Sequence, residues 1–154
     1  MQIFPVVILD TNIWLDILLF NDVRTRPIHA ALVSGAVTAR IDLSCYAELA
    51  HVLHYTQLRH LIVDREQTLA WVREHSQFFQ EEVESNLPPL PVCRDPDDQK
   101  FLELAYKSRA EFLISKDKAL LKVAVRMQRQ FNIMVLLPEL FCSQYLCADG
   151  FNCA

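Results

Sequence analysis

The chain of 154 residues has the length of a single domain. Its hydrophobic content of 52% and charged content of 22% allow a buried core and exclude an intrinsically disordered protein, and its two glycines are too few for Gly-rich nucleotide-binding loops. With 19 acidic against 15 basic residues, the net charge of −4 disfavours nucleic-acid binding unless bound cations neutralise several of the acids.

Strand and helix patterns alternate along the chain. The predicted strands are residues 5–10, 37–44, 111–115 and 131–137, and the Pro-rich segment 86–93 can form only a short or edge strand. The predicted helices are residues 11–20, 25–35, 44–58, 65–79, 98–108, 117–127 and 138–146. This alternation predicts an α/β fold, in which helices cover both faces of a parallel sheet.

The chain shows no sign of a second domain. We expect one domain over residues 1–147 and a short, disordered C-terminal tail over residues 148–154. No apolar run reaches the roughly 18 residues of a membrane span, and the first residues resemble a strand rather than a signal peptide. The five cysteines form no Cys-x-x-Cys pair, so we expect reduced thiols, a cytoplasmic location and no membrane partner.

Four acids are predicted at one edge of this sheet. Asp10 ends the first strand, Glu48 lies in the helix after the second strand, Asp98 follows the Pro-rich segment, and Asp117 follows the strand at 111–115. In open α/β sheets, ligands bind beyond the carboxyl ends of the strands. We therefore expect the four carboxylates to lie close together.

Each acid also has a purely structural explanation. Asp95, Asp97 and Asp98 surround Pro96 in a pattern typical of a capped helix start. Asp10, Thr11 or Asn12 can cap the first helix, and Ser115 or Asp117 can cap the helix at 117–127. We assign Asp95 to capping, and Asp97 to capping with indirect support of the site.

Taken together, the four acids indicate a cation site. Converging carboxylates repel one another and raise one another's pKa unless a positive charge neutralises them. A set of oxygen ligands alone favours Mg²⁺ or Mn²⁺ over Zn²⁺, which usually binds His or Cys.

Four segments of the chain, "VVILDTNIWLDILL", "LSCYAELAHVL", "RDPDDQKFLELAYKSRAEFLISKDKALL" and "FNIMVLLPELF", resemble in order the PIN domain family. They are most similar to its branch of toxin components of toxin–antitoxin systems, the VapC-like ribonucleases. The resemblance implies a three-layer α/β/α sandwich with a central parallel sheet of about five strands. It also implies Mg²⁺- or Mn²⁺-dependent cleavage of single-stranded RNA, an antitoxin protein as inhibitor, and possible homodimerisation.

The resemblance also suggests roles for individual residues. It implies that Asp10, Glu48, Asp98 and Asp117 are the catalytic, metal-binding acids, that Ser115 lies near the metal, and that Asn12 supports the first acid. Bases flanking this edge are candidate RNA contacts: Arg94, Lys116, Lys118 and Lys122. Two alternatives stay open: a catalytically silent RNA- or protein-binding module with the same fold, and a small-molecule phosphatase.

Overall fold

The fold is an all-parallel β-sheet with helical connections. The computed structural model describes residues 4–81 and 86–146. The strands are β1 (Val6–Leu9), β2 (Thr38–Ile41), β3 (Gln77–Phe78), β4 (Phe112–Ile114) and β5 (Met134–Leu136). The α-helices are α1 (Thr11–Leu15), α2 (Arg26–Ser34), α3 (Leu43–Val52), α4 (Arg65–Glu74), α5 (Gln99–Lys107), α6 (Lys118–Leu121), α7 (Ala124–Phe131) and α8 (Pro138–Phe141).

Several helices continue as, or follow, shorter helical turns. Residues Asp16–Phe20 and Cys142–Leu146 extend α1 and α8 as π-helical turns, and Thr56–Leu61 and Pro96–Asp98 form 3₁₀ turns. Helix α2 follows the predicted pattern, because Pro27 lies in its first turn and Gly35 ends it with a positive φ of 81°. A glycine adopts that left-handed conformation without the steric cost of a Cβ atom.

The strand order places a switch point at the centre of the sheet. The order is β3-β2-β1-β4-β5, and each neighbouring pair is parallel. The chain therefore winds outward from β1 in one direction through β2 and β3, and in the other through β4 and β5. The crevice at the carboxyl ends of β1 and β4 is the place where ligands bind in open α/β sheets.

The core lies on both faces of this sheet. Val7, Ile8 and Leu9 are consecutive, point to alternating faces and are at most 2% exposed. All three residues of β4 are also buried. Sheets buried on both faces need a helical layer on each side, so the predicted three-layer α/β/α arrangement with five parallel strands is confirmed.

The edge strand differs from the prediction. Residues 86–93 form no strand; the fifth strand is instead Gln77–Phe78, inside the segment predicted to be helical over residues 65–79. Helix α4 ends earlier, at Glu74: the His75 N–H makes the last helical bond, to the Trp71 carbonyl (3.0 Å), and the Ser76 hydroxyl then donates to the Val72 carbonyl (2.6 Å). The next residues, Gln77 and Phe78, are then extended and pair with β2.

Two other predicted elements change in length or continuity. The helix predicted over residues 117–127 is two helices, because the Val123 N–H bonds three residues back to Leu120 and tightens the turn between them. The helix predicted over 44–58 ends at Val52. No helix in residues 4–81 and 86–146 combines the length and apolarity that crossing a bilayer requires.

The cysteines fall into two groups. Cys45, Cys93 and Cys142 are buried, and Cys45 and Cys93 are free thiols, as predicted for these two. Cys147 and Cys153 and the tail predicted at residues 148–154 lie outside the described residues.

Candidate functional site

Asp10 forms the buried base of the site. It follows β1 and is the N-cap of α1, so that of the three capping candidates Asp10 performs the role; its Oδ1 accepts the Ile13 N–H at 2.9 Å. Its Oδ2 accepts the hydroxyl of Ser115, and the residue is only 3% exposed. Burial raises the pKa of Asp10 to about 6, and the negative charge of Asp117 raises it a little further. The hydrogen bonds from Ser115 and Ile13 act in the opposite direction, because they stabilise the charged carboxylate.

Ser115 links the ends of the two central strands. It lies just after β4 and is fully buried. Its hydroxyl donates to Asp10 and accepts the Asp117 N–H at 2.9 Å. Asp117 is itself the N-cap of α6, since its Oδ1 accepts the Ala119 N–H at 2.7 Å. One hydroxyl therefore sets the relative position of two predicted site acids.

The backbone of the Pro-rich segment is hydrogen-bonded by the Gln99 side chain and not by a neighbouring strand. The Gln99 amide accepts the Cys93 N–H at 2.6 Å and donates to the Pro91 carbonyl at 3.1 Å. Prolines lack the N–H that a sheet ladder requires. These two bonds hold the segment against the start of α5 and thereby position the acidic turn that follows.

The acidic turn begins as predicted, with Asp95 as a cap. The Asp95 Oδ1 accepts the Asp97 N–H at 3.0 Å, and the Asp98 N–H donates to the Asp95 carbonyl at 3.1 Å. Asp97 is exposed, and its carboxylate lies on the rim of the cavity described below. Asp98 caps nothing with its side chain, so its carboxylate is available to the site.

Three carboxylates converge where the acidic turn meets the end of β4. One oxygen each of Asp95, Asp98 and Asp117 can be chosen so that all lie within 4.8 Å of one another. Partial burial raises the pKa of Asp98 to about 7, and the charge of Asp117, a hydrogen bond with it and the charge of Asp95 act in the same direction. Uncompensated negative charge is therefore concentrated at this point.

Glu48 reaches the same edge but is already paired. Its Oε1 lies 2.6 Å from the Lys100 Nζ, and its Oε2 accepts the Thr11 hydroxyl. These contacts tie α3 to α5 and to the first turn of α1. Asp42 caps α3 by accepting the Cys45 N–H at 2.8 Å, so the helix that carries Glu48 is anchored at its start.

One cavity joins these groups. It has a volume of about 400 Å³. The residues that line it are Thr11, Asn12, Glu48, Val52, Tyr55, Gln57, Leu58, Asp95, Asp97, Asp98 and Asp117. Of the four predicted acids, Glu48, Asp98 and Asp117 line the cavity, whereas Asp10 is buried and is linked to Asp117 by the two hydrogen bonds of Ser115.

The predicted basic contacts have different environments. Lys116 forms an ion pair with the buried Asp16, with 2.5 Å between Nζ and Oδ2, so its charge already has a partner. Lys118 and Lys122 lie at the two ends of α6 and are exposed, as is Arg94. These three bases have no ion-pair partner within the described ranges.

Sequence reasoning missed three contributors to this site. Asp95 was assigned to capping alone, yet its carboxylate also joins Asp98 and Asp117. Thr11 is predicted only as a candidate cap and Lys100 has no predicted role, although both bind Glu48. The position of Lys100, two residues after Asp98, could have indicated this contact. A lysine so close to a predicted group of carboxylates is expected to form an ion pair with one of them.

Comparison with known families agrees with this architecture. A family model described as "PIN domain" matches residues 6–119, which include β1 to β4 and every residue that lines the cavity. No curated protein and no solved structure matches the chain significantly.

Proposed function

The chain belongs to the PIN domain family, and from this premise we propose that it is a metal-dependent endoribonuclease that cleaves single-stranded RNA. PIN domains are in general metal-dependent nucleases. The observation that carries the proposal is the convergence of the carboxylates of Asp95, Asp98 and Asp117 within 4.8 Å at the switch point of the sheet.

The chemistry of these donors fits a hard divalent cation. All three are carboxylates, the ligands that Mg²⁺ and Mn²⁺ prefer, and within residues 4–81 and 86–146 no His or Cys lines the cavity. The pKa of Asp98 is raised first by partial burial and then by the charges of Asp117 and Asp95, and a bound cation would offset both the burial and the repulsion. Mg²⁺ or Mn²⁺ is therefore the cofactor we propose.

Individual residues have separable roles in this proposal. Asp98 and Asp117 would hold the ion, with Asp95 as a third ligand and Asp10 supporting Asp117 through Ser115. When bound, the ion supplies Lewis acidity and a water of lowered pKa. Glu48 would accept a hydrogen bond from the attacking water and orient it. In-line attack that breaks the P–O3′ bond leaves a 5′-phosphate and a 3′-hydroxyl.

The RNA backbone would bind along the basic rim of the site. Lys118, Lys122 and Arg94 are exposed cations near the acidic cavity, and cations of this kind neutralise phosphates in a salt-dependent way. Lys116 would not contact RNA in this proposal, because it is paired with Asp16. It would instead stabilise the fold next to Asp117.

We further propose that the protein is the toxin half of a toxin–antitoxin pair. The support is the similarity of its four motif segments, in order, to those of VapC-like ribonucleases. Such a toxin would act on cytoplasmic RNA, an antitoxin protein would inhibit it, and a homodimer is compatible with this role.

One observation favours the alternative of a catalytically silent binding module. Both oxygens of Glu48 are engaged, one by Lys100 and one by Thr11. Each oxygen keeps a second lone pair for a water, but the Lys100 ammonium makes Glu48 a weaker acceptor for the attacking water of an enzyme, whereas a binding module does not need this acceptor.

A cleavage assay separates these functions. We expect the purified protein with Mn²⁺ to cut end-labelled single-stranded RNA, EDTA to stop the reaction, and Asp10→Asn and Asp117→Asn to abolish it. The matched control is Glu66→Gln, because Glu66 is an exposed acid on α4 outside the cavity.

Two other results would contradict the nuclease proposal. RNA binding without cleavage, unchanged by Asp10→Asn, would indicate the silent module. Release of phosphate from a small monoester, with RNA left intact, would indicate a phosphatase.

A further inference from the structure

One part of the cavity lining, which we call the apolar wall, has no role in the proposed hydrolysis. It consists of Val52, Tyr55, Gln57 and Leu58, at the end of α3 and in the 3₁₀ turn that follows. We propose that this wall is a base subsite, in which the nucleobase next to the cleaved phosphodiester stacks on Tyr55. This inference rests on the proposed ribonuclease function and adds a specificity determinant to it.

Tyr55 is presented as an open aromatic platform. The residue is 45% exposed, whereas the aromatic residues of the core, such as Trp14 and Phe101, are at most 2% exposed. The His51 ring contacts it in an edge-to-face arrangement, with 5.6 Å between centroids and an interplanar angle of 83°. The ring is therefore supported by a neighbour while part of it still opens into the cavity.

The backbone at Tyr55 is held on both sides. The Tyr55 N–H donates to the Val52 carbonyl at 2.9 Å, and the Tyr55 carbonyl accepts the Leu58 N–H at 3.0 Å. Tyr side chains also have few rotatable bonds, so little conformational entropy is lost when they bind a ligand. A preorganised ring of this kind suits stacking better than a mobile surface aromatic would.

The composition of the cavity matches the two ends of a nucleotide. A phosphate group needs the cation that the acidic wall would hold, and a base needs an aromatic or apolar surface. The cavity offers both within about 400 Å³, a volume within the range of about 300–1,000 Å³ typical of small-molecule sites. Val52 and Leu58 extend the apolar surface beside the ring.

Gln57 gives this subsite a means of reading the base. Its side-chain amide carries donors and an acceptor on one planar group, and it lines the cavity two residues from Tyr55. A carboxamide can pair with two atoms on the edge of adenine. We therefore expect adenine to be favoured at the stacked position, whereas stacking alone would accept any base.

The test compares two substitutions at Tyr55 on two RNA substrates. One substrate carries an intact base at each position around the cleavage site, and the other has a single abasic ribose scanned through these positions. We expect Tyr55→Leu to lower kcat/KM on intact RNA by about 10- to 100-fold, the range of one base–aromatic stack. Tyr55→Phe should retain most activity, because stacking requires the ring and not the hydroxyl.

The abasic substrate identifies stacking as the cause. When the abasic ribose stands at the position of the stacked base, kcat/KM of the wild-type protein should fall by a similar factor. On that same RNA, Tyr55→Leu should be almost as active as the wild type, because the base and the ring form one interaction and its loss counts only once. The control is Tyr106→Leu, which removes another exposed tyrosine, on α5 and outside the cavity. It should leave both rates unchanged.

The possible failures are distinguishable. If wild-type protein cuts RNA but Tyr55→Leu matches it, or loses activity equally on intact and abasic RNA, the base subsite is wrong and the nuclease stands. If the wild-type protein cuts no RNA, both proposals fail. The abasic scan with wild-type protein needs no variant, so a folding defect in Tyr55→Leu cannot obscure the result.

Discussion

The buried carboxyl of Asp10 should make the metal-free protein less stable as the pH rises. Its pKa is raised from 3.8 to about 6 in the folded protein, chiefly by burial. Below pH 3.8 the group is protonated in both the folded and unfolded chains, and it affects neither. Between the two pKa values the Asp10 carboxyl is ionised in the unfolded chain but still protonated in the folded protein, so the free energy of unfolding falls as the pH rises. Above pH 6 the folded protein also carries the buried charge, and the loss of stability reaches its full size.

Asp10→Asn removes this penalty while keeping the shape of the side chain. One pKa unit corresponds to about 1.4 kcal/mol, so the charged form costs about 3 kcal/mol at pH 8 and about half of that at pH 5. The amide also disturbs the hydrogen bond with Ser115, but that loss does not vary with pH. The change in the mutational effect between pH 5 and pH 8 therefore isolates the charge.

Urea unfolding in EDTA across pH 5 to 8 measures this difference. We expect the variant to gain about 1.5 kcal/mol relative to wild type over this range. The matched control is Asp42→Asn. Asp42 caps α3 through the Cys45 N–H just as Asp10 caps α1, but it is only partly buried and lies outside the cavity. A pH-independent effect of Asp10→Asn, or an equal trend in the control, would refute the reasoning.

Three further predictions concern the ion, a turn and an ion pair. Mg²⁺ or Mn²⁺ at about 100 times its Kd should raise the Tm of the protein, measured by calorimetry, by about 5–10 °C. Asp98→Asn should reduce this rise, and the control Glu66→Gln should leave it unchanged. If neither metal shifts the Tm, the cation site is wrong. Gly35→Ala should lower the free energy of unfolding by about 1 kcal/mol, because φ is 81° and the space around the added Cβ is open, so that only backbone strain acts; unchanged chemical denaturation would contradict this. Lys116→Met should cost about 3 kcal/mol by leaving the Asp16 carboxylate buried without its cation; adding Asp16→Asn should recover most of that loss, and an equally unstable double variant would show that the pairing is not the cause.

Patterns within a few residues were enough to predict the architecture. The apolar run before Asp10 and the run before Ser115 predicted the two central strands, and the parallel connection of strands through helices brought their carboxyl ends to one edge. The proximity of Asp10 and Asp117 follows from this topology, since Asp10 comes directly after β1 and Asp117 comes three residues after the neighbouring strand β4. Capping by Asp95 was likewise predictable, because its partner is only two residues away.

The error at the edge strand shows where such patterns fail. Helical spacing runs through residues 65–79, and nothing local distinguishes Gln77 and Phe78 from the residues before them. They form a strand because β2 offers an unpaired edge beside them, and because the side chain of Ser76 helps to end α4. The Pro-rich segment, which was expected to supply that strand, is held by Gln99 instead.

What the sequence determined by itself is therefore the set of elements, their parallel winding and the edge at which Asp10, Glu48, Asp98 and Asp117 gather. Only the tertiary structure decided which acid has which neighbour: Glu48 is paired with Lys100, Asp95 joins Asp98 and Asp117, and Asp10 is buried behind them. The reason is physical. Strands, helices and caps depend on hydrogen bonds and burial patterns among residues near in sequence, whereas the charge state and partners of a carboxylate depend on side chains brought to it from distant parts of the chain.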